Sequence, residues 1–439
     1  MLVGLASPGA VSPPLLPFAL LAAGLAVIGL RTPVPEDATE ADNAIAVLLA
    51  FPIAVLFTSA PYLAHGLSPL DAAFEGMSGV TSTGLTRFTE IGSQPFALHF
   101  LRAWQQFVGG YAIITLMVAL MPTNADAAED MTKADVADDA GSSGARSPDL
   151  IVRARRVLLV YLALGAACIV GVRLAGQDWA FALLHGLTSI STGGFSVYPG
   201  SLGDVARTAV SVLMVFSVLG AVALSDYVRP ATERAGARKL AGTLGAVLVL
   251  SAVFGLASLA AERASGAEVA LFDILQVAAS AQTTTGFSTL TVSDLSDTTK
   301  TLLIVNMSIG GDIGSTAGGV KLMRLVTLAV AAAAILRRVT RPHETPGGGA
   351  RLAAALIAAW VFLTVAGGAA LTAAGHAPID AFFEAASALN NAGLSAGPSN
   401  GEDVPAATRV TLILLMWIGR AEILAVLLVL RAMGLRRNA

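Results

Sequence analysis

A run of hydroxyl side chains that ends in glycine lies between Gln282 and Leu290 (QTTTGFSTL), in a chain that is otherwise strongly apolar. No catalytic partner stands beside this run, so the pattern does not suggest nucleophilic catalysis. Densely placed oxygen atoms suit a cation that has lost its water shell. Three other stretches share the form Gly, then Leu or Phe, then Ser or Thr, and the shared glycines are Gly84, Gly194, Gly286 and Gly393. Four loops of one pattern predict one shared task.

The composition is that of an integral membrane protein. Hydrophobic residues make up 55% of the 439 residues and charged residues 13%, and the mean hydropathy is +0.73. A soluble domain has about 25% charged residues. The net charge of -3 indicates no nucleic-acid partner, and the single Cys168 excludes a disulfide within one chain. The histidines show no metal-ligand spacing; they are His65, His99, His185, His343 and His376.

The apolar stretches predict nine membrane spans, because a bilayer core of ~30 Å needs about 20 apolar residues per helix. The predicted spans are Pro14 to Leu30, Ala44 to Ala64, Ala103 to Met121, Val157 to Ala175, Thr208 to Tyr227, Leu240 to Ala260, Leu302 to Leu336, Leu352 to Ala374, and Val410 to Leu430. The seventh is too long for one span and carries a polar interruption.

A short helix is predicted just before each shared glycine. It has about twelve residues and therefore a length of ~18 Å, which reaches only halfway across a bilayer. Asp71, Asp273 and Asp380 suit the first turn, where a carboxylate caps free N–H groups. The chain must then return without a helix, which lipid forbids unless that chain lines a water-filled path or is buried in protein. Four such re-entrant loops predict a pore between them.

The fold class predicted is an all-α membrane protein of four membrane-pore-membrane repeats. Eight spanning helices and four re-entrant pore helices are expected, plus one extra N-terminal helix. The expected segments are 1–41 (extra helix and linker), 42–121 (repeat 1), 122–150 (flexible cytoplasmic linker), 151–229 (repeat 2), 230–338 (repeat 3) and 339–439 (repeat 4). Basic residues concentrate in the segments between repeats and in the tail, which places those segments in the cytoplasm and the re-entrant loops outside.

The four loops are predicted to form a selectivity filter for potassium, in which backbone carbonyls replace the water around the ion. Glycine suits this role because it adopts a positive φ at little cost. The alternative for any single loop is close helix packing by small residues. The predicted filter residues are Ser82, Thr83, Gly84, Thr192, Gly193, Gly194, Thr284, Thr285, Gly286, Asn391, Ala392 and Gly393.

A glycine-rich strap is predicted inside the seventh span, within Asn306 to Lys321 (NMSIGGDIGSTAGGVK). Its composition cannot continue a lipid-facing helix, so it should unwind and obstruct the ion path. A phosphate-binding loop does not fit, because Val320 stands where the lysine should be. In the last span, Arg420 is expected to bond the strap carbonyls, to pair with Asp312, or to snorkel to the headgroups. The predicted gating residues are Gly310, Gly311, Asp312, Gly314, Gly318, Gly319, Lys321 and Arg420.

These features together resemble the Trk/Ktr/HKT superfamily of potassium transporters, and its Trk branch above all. The resemblance rests on the four loop glycines, the GSTAGGVK strap and the GRAEIL stretch of the last helix. It implies potassium uptake through the filter, a gating strap from Gly310 to Gly319, and Arg420 as the residue that holds the strap. It also implies a multi-pass protein of the prokaryotic inner membrane, surrounded by lipid. The expected assembly is a homodimer on a cytoplasmic nucleotide-binding regulatory subunit, with potassium as the transported ion and no organic cofactor.

Two departures and two alternatives accompany this interpretation. One helix is evident before the first repeat, where the Trk branch usually has two. In plant relatives a serine at the first filter glycine goes with sodium preference, so Gly84 favours potassium. A sodium-preferring or weakly selective cation path is the nearest alternative. An intramembrane hydrolase would need a Ser/His or Asp pair within the membrane, and Asp312 is the only Asp deep in a predicted span.

Overall fold

The computed structural model describes residues 40–120, 148–198, 200–228, 234–338 and 348–421, together with 423 and 426. The predicted first span, Pro14 to Leu30, lies outside the described residues. So do nearly all of the predicted linker and most of the predicted last span beyond Ala421.

The described residues form thirteen α-helices and no strand, which confirms the all-α class. The helices are α1 (Glu40–Ala64), α2 (Pro69–Val80), α3 (Phe96–Leu120), α4 (Pro148–Leu174), α5 (Trp179–Ile190), α6 (Arg207–Gly220), α7 (Arg234–Ala264), α8 (Leu271–Thr283), α9 (Asp297–Ile309), α10 (Leu322–Arg338), α11 (Gly348–Ala373), α12 (Pro378–Leu389) and α13 (Ala406–Ala421). They fall into four units: unit 1 is α1–α3, unit 2 is α4–α6, unit 3 is α7–α10 and unit 4 is α11–α13.

Each unit begins with a helix that is long and apolar enough to cross a membrane. Among the described residues these candidate spans are Ile45–Ala64, Ala154–Leu174, Ala237–Ala264 and Ala353–Ala373. Their outward side chains, such as Leu56 and Phe362, are exposed and apolar. A continuous apolar exterior is what lipid requires.

Two of the predicted spans are not single long helices. The predicted span from Thr208 to Tyr227 stops being α-helical at Gly220. Gly220 O accepts a hydrogen bond from Thr316 N at 3.1 Å, and Ala221 O accepts one from Asp312 N at 2.9 Å. Because these carbonyls bond to the strap, the α-helix does not continue past Gly220. The predicted span from Leu302 to Leu336 is divided between α9 and α10, with residues 310–321 non-helical between them.

A short helix of twelve or thirteen residues precedes each shared glycine; these are α2, α5, α8 and α12. The predicted placement of Asp71, Asp273 and Asp380 in the first turn is confirmed, but none of the three is the N-cap residue. Ser68 caps α2 by accepting a bond from Asp71 N at 3.2 Å, and Asp178 caps α5 by accepting one from Phe181 N at 2.7 Å. The N-cap residues of α8 and α12 are alanines. The three predicted aspartates lie in the first turn, where their carboxylates reach basic side chains of neighbouring helices instead.

The four units close into a ring through their buried side chains. Each pair of neighbouring units shares an apolar cluster: Phe107 with Ile190 between units 1 and 2, Leu213 with Phe287 between 2 and 3, Ile274 with Phe383 between 3 and 4, and Phe74 with Leu415 between 4 and 1. Fully buried aromatic and aliphatic side chains each contribute about 1.5–3 kcal/mol. The short helices therefore lie at the centre and the long helices outside.

Candidate functional site

The four shared glycines form a closed ring at the centre of the units. A Cβ atom added to any one of them would collide with the carbonyl oxygen that precedes the next glycine. The added Cβ would lie 2.4 Å from Gly193 O at Gly84, 1.9 Å from Thr285 O at Gly194, 2.5 Å from Ala392 O at Gly286, and 2.1 Å from Thr83 O at Gly393. Unit 1 contacts unit 2, unit 2 contacts unit 3, unit 3 contacts unit 4, and unit 4 contacts unit 1, so the contacts form a closed cycle. Only glycine leaves space for these approaches.

The backbone around each glycine repeats one unusual conformation. The glycines have φ values of 105°, 70°, 88° and 76° in chain order. The residue two positions earlier is also left-handed although it carries a side chain: φ is 51° at Ser82, 48° at Thr192, 50° at Thr284 and 50° at Asn391. Such a position costs about 1–2 kcal/mol for a non-glycine residue. The strain recurs at equivalent sites, as expected for backbone shaped for a function.

The polar side chains of the predicted filter residues bond to protein rather than to the centre of the ring. Ser82 Oγ donates to Gln106 O at 2.9 Å, and Thr192 Oγ1 donates to Ser191 O at 2.8 Å. Asn391 Nδ2 donates to Thr83 Oγ1 at 3.0 Å. These side chains are buried, so they brace the loops. Backbone oxygens remain as the groups that the loops can offer to an ion.

An open vestibule of about 320 Å³ lies on one side of the ring. All four shared glycines line it, and its walls come from the segments that follow them. On the other side lie the carboxyl ends of α2, α5, α8 and α12, each of which carries about half a negative charge. These helix dipoles favour a cation at the ring, whereas the wall of the vestibule carries Arg87 and Arg102.

A non-helical strap, Gly310 to Lys321, contacts units 2, 3 and 4 at residues that precede the ring glycines, away from the vestibule. Gly318 N donates to Thr284 Oγ1 at 2.7 Å, and Gln282 Nε2 donates to Gly310 O at 2.7 Å, so the strap is tied to the third loop. Thr316 Oγ1 donates to Ile190 O at 3.1 Å in unit 2. A Cβ atom on Gly318 would lie 1.7 Å from the carbonyl oxygen of Asn390 in unit 4.

Arg420 of α13 donates a hydrogen bond to the backbone of the strap. Its Nη1 atom donates to Thr316 O at 2.7 Å, and the residue is 2% exposed. This contact matches the first of the three alternatives for Arg420 and argues against snorkelling. Asp312 Oδ2 lies instead 3.9 Å from Lys239 Nζ. Lys321 Nζ donates to Ala317 O within the strap.

A family model described as "Cation transport protein" matches residues 36–229 and 248–435 of this chain. The chain belongs to the TrkH family. This confirms the resemblance to the Trk branch. A Trk system potassium uptake protein TrkH from Vibrio parahaemolyticus is 30% identical over 390 residues, or 83% of this chain and 79% of that protein. The TrkH of Halomonas elongata is 27% identical and covers 88% of this chain and 84% of its own length.

The fold agrees with a solved member of the TrkH family. The crystal structure of the potassium transporter TrkH from Vibrio parahaemolyticus superposes with a TM-score of 0.79 at 25% sequence identity. The match covers 94% of this chain and 90% of the other. Family and relatives are transporters, which favours transport over the intramembrane hydrolase.

This TrkH-family chain contains a set of bracing residues that the sequence reasoning did not assign. In units 1, 2 and 4 a polar side chain of the short helix bonds the hydroxyl two positions after the glycine: Glu75 with Thr86, His185 with Ser196, and Glu384 with Ser395. In unit 3 the equivalent position is Val277, and Gln276 donates to Phe287 O at 2.9 Å instead. The Ser or Thr two positions after the glycine marks this contact in units 1, 2 and 4, whereas Ser288 of unit 3 donates to Leu290 O.

Proposed function

We propose that this chain takes up potassium ions across the cell membrane through the ring of four loops. The observation that carries the proposal is the closed cycle of glycine-to-carbonyl approaches, set at the floor of an open vestibule. Four backbone segments that approach one another this closely offer their carbonyl oxygens at one level. Such a set of oxygens replaces the water shell of a potassium ion. The names of the relatives, which are potassium uptake proteins, support the same ion.

In this proposal the four units are the membrane-pore-membrane repeats, and α2, α5, α8 and α12 are the pore helices. The vestibule faces outwards, because basic residues concentrate in the segments between units. An ion that leaves the filter then meets the strap on the cytoplasmic side. The strap is the gate, and Arg420 keeps it in place. The homodimer and the cytoplasmic nucleotide-binding regulatory subunit remain predictions that the family resemblance implies.

The proposal is tested by transport. Expression in a bacterium that lacks its potassium uptake systems should restore growth at low potassium. The purified protein in liposomes should carry rubidium, which substitutes for potassium. Absence of both effects, with the protein present in the membrane, would exclude the proposal. Equal fluxes of sodium and rubidium would instead favour the weakly selective cation path.

Serine in place of Gly84 is expected to admit sodium. Gly84 has a φ of 105°, and its added Cβ would lie 2.4 Å from Gly193 O, so the first loop must shift away from the second. A wider ring fits potassium less closely. We expect the potassium-to-sodium permeability ratio to fall by about tenfold, which corresponds to about 1.4 kcal/mol of lost discrimination.

Gly92→Ser is the matched control for this substitution. Gly92 lies in the same connection, and the nearest atom to its added Cβ is Val197 O at 3.7 Å. The control should keep the permeability ratio of the unaltered protein. If Gly84→Ser also keeps that ratio, the first loop does not select the ion.

A further inference from the structure

A second cycle of contacts joins the units near the vestibule. In each case a basic side chain comes from the first turns of the helix that follows one loop, and it reaches the short helix or loop of the next unit. The cycle runs in the same direction as the glycine contacts. The four residues are Arg102 of α3, Arg207 of α6, Lys300 of α9 and Arg409 of α13.

Three of these contacts are ion pairs with the aspartate in the first turn of a short helix. Lys300 Nζ lies 2.7 Å from Asp380 Oδ1, and joins unit 3 to unit 4. Arg409 Nη1 lies 2.9 Å from Asp71 Oδ2, and joins unit 4 to unit 1. Arg207 Nη2 lies 3.3 Å from Asp273 Oδ2, and joins unit 2 to unit 3.

The junction between units 1 and 2 uses a different contact, because Phe181 stands where the other short helices carry aspartate. Arg102 Nε lies 2.8 Å from Glu75 Oε1 in unit 1, and Nη1 donates to Ser196 O of unit 2 at 3.1 Å. Its guanidinium also lies 3.8 Å from the centre of the Phe195 ring. Arg102 therefore bonds directly to the segment that leaves the second loop.

The four contacts differ in burial. The side chains of Lys300 and Arg409 are 6% and 19% exposed, whereas that of Arg207 is 64% exposed. An exposed pair contributes little because water screens it, and a partly buried pair holds a fixed geometry. Replacing Lys300 removes the ion pair of Asp380, whose side chain is 26% exposed, whereas Asp71 keeps its ion pair with Arg87 at 2.8 Å when Arg409 is replaced. The junctions at Lys300 and Arg409 should therefore be rigid, and the junction at Arg207 should not.

We propose that Arg102, Lys300 and Arg409 are positioning residues that fix the spacing between neighbouring loops and thereby set ion selectivity. The inference rests on the proposed function, since it assigns these residues to the same filter. Lys300 and Arg409 each fix the start of the next short helix, and the next glycine lies just beyond the far end of that helix. Arg102 instead holds the segment that follows the next glycine. A change at the junction is therefore transmitted to the width of the ring.

The test compares Lys300→Gln and Arg409→Gln with the exposed control Arg207→Gln. Each variant is purified, checked for folding by its thermal transition, and measured in liposomes for rubidium flux and for the potassium-to-sodium permeability ratio. We expect Lys300→Gln to lower the ratio by about tenfold, Arg409→Gln to lower it less because Asp71 keeps its ion pair with Arg87, and Arg207→Gln to leave it unchanged. Lys300→Arg should retain the ratio, because it keeps the charge opposite Asp380.

A charge exchange separates positioning from general stability. Lys300→Asp combined with Asp380→Lys reverses the pair, and we expect it to recover selectivity that Lys300→Asp alone loses. Normal ratios in Lys300→Gln and Arg409→Gln, with full rubidium flux, would overturn the inference and leave the proposed function intact. No rubidium flux in the unaltered protein would instead refute the proposed function.

Discussion

Gly194→Ala is expected to abolish potassium uptake. The alanine Cβ would lie 1.9 Å from Thr285 O and 3.0 Å from the Cα atom of Gly286. Both neighbours are backbone, which cannot rotate away as a side chain can. The substitution also places an L side chain at a φ of 70°. Overpacking costs about 1–3 kcal/mol and the left-handed backbone about 1–2 kcal/mol more, so the second loop must leave its place.

The measurement is rubidium uptake into liposomes, together with growth at low potassium. Gly176→Ala is the matched control, because Gly176 has a φ of 96° in the same unit but no atom within 4 Å of the added Cβ. The control bears the same backbone strain without the collision, and it should transport. Normal uptake by Gly194→Ala would show that the ring does not need the close approach, and the proposed filter would then be wrong.

Arg420→Ala is expected to raise the basal ion flux. Arg420 donates to the carbonyl oxygen of Thr316 in the strap at 2.7 Å from a site that is 2% exposed. A hydrogen bond from a charged group contributes about 1.5–3 kcal/mol. Its loss should let the strap leave the ion path more often, and flux should rise by about tenfold or more. Thr316→Val, which removes the hydrogen bonds from Thr316 Oγ1 to Ile190 O and Gly220 O, should act in the same direction.

Single-channel or liposome flux recordings without any regulatory partner check this prediction. Arg420→Lys keeps the positive charge and should show a smaller rise than Arg420→Ala. Arg263→Ala removes an exposed arginine at the end of α7 and should leave flux unchanged. If Arg420→Ala is present at normal abundance and conducts as the unaltered protein does, Arg420 does not restrain the strap.

Much of the helical framework could be predicted from the sequence. The long apolar runs, the four short helices and the break between Ile309 and Leu322 all follow from local composition. Local composition could not give the early end of α6 at Gly220. The carbonyls of Gly220 and Ala221 bond to a strap that lies about 90 residues later in the chain. Helix propensity depends on neighbouring residues only, so it cannot predict an end that a distant segment causes.

The candidate site divides in the same way. The sequence alone identified which residues repeat. Where one backbone segment must approach another closely, only glycine fits, so the same residue type occurs at the equivalent position of all four loops. The tertiary structure decided the rest. It gave the cyclic order of the contacts, the inward bracing by Glu75, Gln276 and Glu384, and the choice of Thr316 O as the partner of Arg420. Side-chain pairing depends on which surfaces meet when the four units close, because polar groups buried there must find partners wherever the fold places them.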